Sequence, residues 1–296
     1  MNFDNKKKII TYYESQFLKK VQLDDNYNFK KFIWIKYFYN GDGFHHWGSV
    51  KNNLIYAPNS KIKKIFNESN FQKFFKCENI RDDLVSIFNF KNGDYVDQIS
   101  IYDVINELFK NYPYLNRIKF NNDYEKIPCD DPYHLNDIII VDEFEKNIKN
   151  INEGDILLSI RNLNLLIIID KSTRNIKWFF QGEMKLQHSP RILRNGFIIV
   201  LDNQGSDKEN GRSRIVSINM ETKSVESIYE AKNNDYFETM WRGRLQIFDN
   251  SIFIQEHDSG RIIHLKCKNA LERLDCTQST FLDLNKMWGH QFEILF

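Results

Sequence analysis

Short apolar runs separated by polar turns recur along this chain, which is the pattern of strands rather than of long helices. From Ile167 to Phe180 (IIIDKSTRNIKWFF) an apolar strand, a polar turn and a second strand spell a β-hairpin. Ile215 to Tyr229 (IVSINMETKSVESIY) has the same form, with Asn219 in the place of Asp170 and Val225 in that of Ile176. Val85 to Ile99 (VSIFNFKNGDYVDQI) is a third copy, where Asn92 and Gly93 supply the left-handed turn of a tight hairpin. Ile262 to Leu274 is a looser fourth.

A further short strand lies upstream of each hairpin: Leu54 to Ala57, Ile156 to Ile160, Phe197 to Leu201 and Ile252 to Gln255. In three units another precedes it, at Ile138 to Val141, Arg191 to Leu193 and Arg244 to Phe248. Four-stranded units repeating at roughly 40 to 50 residues are the signature of propeller blades. A small twisted sheet cannot bury both faces alone, and stacked blades cover them. A β-sandwich of similar strand count does not require the repeat, so the expectation is an all-β propeller in a single domain spanning residues 1–296. Four blades are legible, and residues 1–45 and 277–296 are left to supply strands of one or two more. Six blades are expected, allowing one to be incomplete.

Two stretches carry helical spacing instead, as short insertions. Ile101 to Tyr112 sets Ile101, Val104, Ile105, Leu108, Phe109 and Tyr112 on one face, has Ser100 and Asp103 as a capping pair, and stops at Pro113. Lys61 to Cys77, with Ile62, Ile65, Phe66, Phe74 and Phe75, reads as a second helical insertion.

Charge narrows the choice of partners. With 41 Lys and Arg against 40 Asp and Glu, the net charge of +1 argues against a surface built for nucleic acid or anionic lipid. No stretch approaches the roughly 20 apolar residues of a membrane span, and the first residues (MNFDNKKKIITYYESQF) hold no apolar run of signal length. The chain as written is expected in the cytoplasm, or in the periplasm or outside the cell if a signal has been lost. Cys77, Cys129, Cys267 and Cys276 form no CxxC pair and are expected as unpaired thiols, although Cys267 and Cys276 flank a short turn and could pair in an exported protein.

Histidines are the candidate chemistry. His46, His134 and His188 each stand before the first strand of a unit, where the fourth unit has Trp241 and Arg242. In a propeller the innermost strands line one channel, so equivalent positions meet in space. Neutral imidazoles are nucleophiles, general bases or metal ligands. A metal site would usually add a carboxylate or thiolate in a fixed geometry, which sequence does not show across blades, and no metal is expected.

The run DPYHLNDIIIVDEF, GDILLSIRNLNLLIIIDKSTRNIKWFFQG and QHSPRIL, followed by NGFIIVLDNQG, RSRIVSIN and SGRIIHL, resembles the bacterial arylsulfotransferase-like propellers over Asp131 to Leu265. Upstream, HHWGSVKNNLIYAPN adds a weaker likeness. The resemblance implies a six-bladed propeller that passes a sulfuryl group from an aryl sulfate to a phenol through a sulfohistidine, with no nucleotide donor and no cofactor. It implies His188, His134, His46 and Arg161 as catalytic residues, with Arg191, Arg212, Trp241 and Arg242 binding substrate. The family's QHD is here Gln187, His188 and Ser189, without the carboxylate that would orient the ring. Two other functions fit the same pattern: a non-catalytic propeller binding a small anionic or aromatic ligand through Trp47, Trp241 and the arginines, or a protein-interaction scaffold.

Overall fold

A computed structural model describes residues 2–4, 9–14, 16–26, 28–38, 43–46, 48–65, 77–117, 129–144, 148, 150–203, 213–230, 237, 239, 242–248, 251–256, 260–269 and 273–283. Among them are five four-stranded antiparallel sheets, each built from four strands in chain order. The fold is an all-β propeller type with five blades. Blade 1 is β1 (Asn2–Asp4), β2 (Ile9–Glu14), β3 (Phe17–Leu23) and β4 (Phe29–Tyr37). Blade 2 is β5 (Ser49–Lys51), β6 (Leu54–Lys64), β7 (Asn79–Asn89) and β8 (Tyr95–Ser100). Blade 3 is β9 (Leu135–Ile140), β10 (Ile156–Ile160), β11 (Leu165–Ile169) and β12 (Ile176–Gln181). Blade 4 is β13 (His188–Ile192), β14 (Phe197–Asp202), β15 (Arg214–Asn219) and β16 (Val225–Glu230). Blade 5 is β17 (Arg244–Phe248), β18 (Ser251–Glu256), β19 (Arg261–Asn269) and β20 (Arg273–Asp283). The chain divides into two compact units, Met1–Ile140 and Val141–Phe296.

The expected sixth blade is therefore corrected to five. The N-terminal segment spends its strands on one complete sheet, and residues 277–283 belong to β20; residues 284–296 lie outside the described ones. The helical insertion expected from Lys61 is also absent where it can be seen. Lys61 to Lys64 continue β6, paired with Asp82 back to Asn79 of β7, because a long ladder satisfies every backbone group that a short helix would leave open at its ends. Residues 66–76 of that expectation lie outside the described ones.

In the second unit the central strands read as near-continuous apolar runs because both faces are covered: all five residues of β10 and of β11 are buried. The Asp170 and Asn219 equivalence has a physical cause. Asp170 Oδ1 accepts from Ser172 and Thr173 N–H, and Asn219 Oδ1 accepts from Glu221 and Thr222 N–H, so both close the same kind of turn. Hydrogen bonds from Lys177 and from those turn amides hold the Asp170 carboxyl well below the usual range. Lys177 also reaches Asp155 at 2.9 Å.

The cysteine expectation is overturned as well. Cys77 and Cys129 form a disulfide with Cα atoms 6.0 Å apart. Cys267 is disulfide-bonded too and stands opposite Cys276 in the β19–β20 ladder. No cysteine among the described residues is free. Spacing hid the first pair, because 52 residues separate its members and only the strand ladder of blade 2 sets where Cys77 lies.

Helix α1 (Ile101–Asn111) forms as its pattern predicts, and its apolar face packs on β7 and β8. Ser100 Oγ accepts from Asp103 N–H at 3.2 Å. Beneath it the buried Asp82 accepts from Ser100 Oγ at 2.5 Å and from Tyr102 N–H at 2.8 Å, with Lys63 Nζ at 3.7 Å. Burial outweighs these partners and pushes the Asp82 carboxyl up to about 6. The folded chain thus keeps this proton to higher pH than the unfolded chain does, and Asp82 makes stability fall as pH rises from about 4 to about 6. Asp82→Asn is expected to flatten that segment of a urea-unfolding pH profile; an unchanged slope would refute the assignment. Cys77→Ser with Cys129→Ser is expected to lower unfolding stability by roughly 4 kcal/mol, following the length of the closed loop.

Candidate active site

Blades 2, 3 and 4 each begin near a left-handed bend that frees backbone groups from the ladders. In the first unit two such bends carry histidines. His46 (φ 52°) and His134 (φ 56°) both adopt the left-handed conformation, which is uncommon outside glycine and needs the surroundings to hold it. At blade 4 the left-handed residue is Ser189 (φ 52°), so His188 precedes it as His45 precedes His46 and Tyr133 precedes His134.

His46 and His134 meet directly, Nε2 to Nε2 at 3.1 Å. His134 Nδ1 lies 2.5 Å from Asp131 Oδ2, and His46 Nδ1 lies 2.9 Å from His45 Nδ1. His45 Nε2 in turn is 3.4 Å from Asp83 Oδ1. Asp83 is anchored by accepting the Leu135 N–H at 2.7 Å, which ties β7 to the residue after His134. Because both nitrogens of His46 face other rings, the imidazoles do not converge on a point. Among the described residues no three His, Cys, Asp or Glu side chains are placed to hold a metal ion.

In the second unit His188 is buried, and its Nδ1 lies 3.0 Å from Leu186 O and 2.8 Å from Asn203 Oδ1. The Asn203 amide cannot be the other way round, since its Nδ2 donates to Thr239 O at 2.5 Å and Arg242 O at 2.7 Å. Both oxygens near Nδ1 can only accept, so Nδ1 carries the hydrogen and the neutral ring keeps its lone pair on Nε2. An amide thus occupies the orienting role that Ser189 cannot fill.

Arg161 is buried at the start of a 3-10 turn (Arg161–Leu163) that ends in the left-handed Asn164. That turn is bonded to the segment before His188. Gln187 Nε2 donates to Ile160 O and Leu165 O at 3.2 Å each, and Asn164 Oδ1 accepts from Leu186 N–H at 3.0 Å. Arg191 is half-buried and donates to Pro190 O at 2.6 Å, while the Arg242 side chain is exposed. Arg212, Trp241 and Trp47 lie outside the described residues. His264 stacks on Phe253 and bonds Ser251, away from any blade start.

The profile of the family described as arylsulfotransferase (ASST) matches residues 38–272. The chain belongs to the arylsulfotransferase family. No individual curated protein matches it. Among solved structures it is similar to hydrazine synthase of Kuenenia stuttgartiensis, at 9% identity and TM-score 0.49 over 89% of this chain and 63% of that one. It is similar also to a functionally unknown protein from Desulfotomaculum acetoxidans, at 11% identity and TM-score 0.47 over 92% and 64%. The propeller domain of Cps50 (Swd1) from Myceliophteria thermophila follows at 9% identity and TM-score 0.46, over 95% and 70%. The chain spans less than two thirds of the first two structures.

In this arylsulfotransferase-family chain four residues of these clusters, His45, Asp83, Asp131 and Asn203, went unassigned in the sequence. Asp131 and Asn203 stand inside the very blocks that carry the family likeness, DPYHLND and LDNQG, which was the available signal. Asn203→Ala would take one donor from the buried Thr239 carbonyl and one from the Arg242 carbonyl, which keep Ser213 Oγ and Thr239 Oγ1, and is expected to cost about 1–2 kcal/mol in chemical unfolding. A loss below 0.5 kcal/mol, a magnitude typical of surface positions, would contradict the buried network.

Proposed function

We propose that this protein is a nucleotide-independent aryl sulfotransferase in which His188 Nε2 is the nucleophile. The observation that carries the reading is the fixed tautomer of His188: an N–H held at Nδ1 by Asn203 and Leu186 puts the lone pair on Nε2. In the proposed reaction Nε2 attacks sulfur, the bond from sulfur to the aryl oxygen breaks, and its electron pair leaves on the phenolate. A second phenol then takes the sulfuryl group and frees the imidazole, which is ping-pong nucleophilic catalysis. Arg161 is proposed to hold the sulfuryl oxygens, where a buried guanidinium fork acts more strongly than in water. Arg191 and Arg242 are secondary candidates, as are Arg212 and Trp241.

The paired cysteines support the exported alternative for the mature protein, because disulfides persist in oxidising compartments. Peptide mapping without reductant of protein from its native source is expected to recover Cys77 joined to Cys129; two free thiols there would favour the cytoplasm.

Incubation with 4-nitrophenyl sulfate is expected to release 4-nitrophenol and to leave a sulfuryl group on the peptide containing His188, seen by mass spectrometry. His188→Asn is expected to lower turnover by at least about 1000-fold, as loss of a nucleophile does. Aryl sulfate binding by calorimetry with no phenol released would leave a binding protein in place of an enzyme.

A further inference from the structure

Between β12 and β13, within the second unit, the chain passes from blade 3 to blade 4 outside any ladder. On the way Gly182 (φ 103°), Glu183 (φ 50°) and Leu186 (φ 53°) stand in the left-handed conformation. Glycine takes such a φ freely, whereas a buried leucine needs its surroundings to hold it there. Side chains do the holding. Asp202 Oδ1 accepts from Lys185 N–H at 2.8 Å, and Asn164 Oδ1 accepts from Leu186 N–H at 3.0 Å. Gln187, wholly buried, donates from Nε2 to Ile160 O and Leu165 O, on either side of the Arg161–Leu163 turn.

The leucine that Asn164 holds is the one that holds His188. Leu186 O lies 3.0 Å from His188 Nδ1, beside Asn203 Oδ1 at 2.8 Å. Asn164 therefore acts on the imidazole at one remove: it fixes the Leu186 amide, and the left-handed φ carries the Leu186 carbonyl round to the ring. Asn164 is itself left-handed (φ 48°, ψ 45°), which asparagine tolerates better than most residues, and its N–H donates to Arg161 O at 3.1 Å. The Arg161 turn has other ties, the two from Gln187 and one from Gln181 Nε2 to Leu163 O at 2.8 Å. Loss of the Asn164 side chain would thus release Leu186 and leave the turn in place.

We propose that Asn164 is a positioning residue for sulfuryl transfer, aiming the Nε2 lone pair of His188 through Leu186 without touching substrate. The proposal rests on the transfer reading above and adds a residue to it. Attack on sulfur needs Nε2 in line with the bond that breaks, and a ring freed on its Nδ1 side spends less time so aligned. Binding of the donor does not draw on that alignment. The effect of Asn164 therefore falls on kcat and not on KM.

Two variants of the full chain separate the hydrogen bond from the backbone shape. Asn164→Gly keeps the left-handed conformation and loses Oδ1, while Asn164→Asp keeps an oxygen in its place. With 4-nitrophenyl sulfate, Asn164→Gly is expected to lower kcat by roughly 100-fold, the scale of a misplaced reacting group, with KM nearly unchanged, and Asn164→Asp to recover most of that loss. A glycine variant as fast as wild type, a loss confined to KM, or an aspartate variant no better than glycine overturns the proposal. Amide exchange and 15N NMR need no turnover. In the wild type Leu186 N–H is expected among the slowly exchanging amides, with His188 in one tautomer, its hydrogen on Nδ1; in Asn164→Gly the amide is expected to exchange fast and the ring signals to move toward mixed tautomers. A fast Leu186 amide in the wild type, or His188 ring signals unmoved by Asn164→Gly, overturns the positioning role. A wild type that turns over no aryl sulfate sinks the transfer reading and the part of Asn164 in it, and the ring signals then decide separately whether Asn164 aims the imidazole.

Discussion

Wherever a chain leaves one sheet and enters the next, its backbone N–H and C=O groups lose their ladder partners, and burying them unpaired costs more than most side-chain contacts return. Here buried polar side chains take up that role at blade after blade. Asp83 holds Leu135, Asp202 holds Lys185, Gln187 holds Ile160 and Leu165, and Asn203 holds Thr239 and Arg242. Ser189 Oγ both gives to Leu245 O and receives from Leu245 N–H. The histidines and Arg161 sit on or beside these same bends, so the bonds that hold the fold together at its weakest points also set the geometry of the candidate site.

Blades 2 to 5 could be read in the chain because their hairpins repeat a local rule: two apolar runs around an Asx or glycine turn. Blade 1 could not, since β4 (FKKFIWIKY) mixes lysines with aromatics that stay half-exposed or exposed. Its β3–β4 turn does carry an Asx bond, with Asp24 Oδ1 accepting from Asn26 and Asn28 N–H, but the strand after it lacks the apolar run of the other hairpins. The Lys61 region misled for a related reason. Isoleucines three residues apart suit a helix, yet Ile62 is 57% exposed and only the long pairing with β7 decides the outcome. Tertiary pairing overrode local spacing there.

The site was legible in part. His46 and His134 were singled out by position and they touch, whereas His45 was passed over although it lies next in the chain. Asp83 was beyond reach of sequence reasoning. It serves His45 and Leu135 from the middle of β7, 38 and 52 residues away, and nothing about RDDLV marks it as different from a surface acid. Its neighbour Asp82 points to the other face and caps α1 instead. Which of two adjacent aspartates meets the rings is a matter of strand alternation, settled only by register.

The amide at residue 203 has a chemical consequence. A carboxylate behind an imidazole steadies positive charge on the ring, whereas a neutral amide fixes the ring's direction with little such help. A sulfated His188 backed by Asn203 would then lie higher in energy than one backed by aspartate, so its lifetime would be short and its surrender of the group to any nearby oxygen easy. In the proposed transfer water would be such an oxygen, and the burial of His188 would be the main guard between transfer and simple hydrolysis.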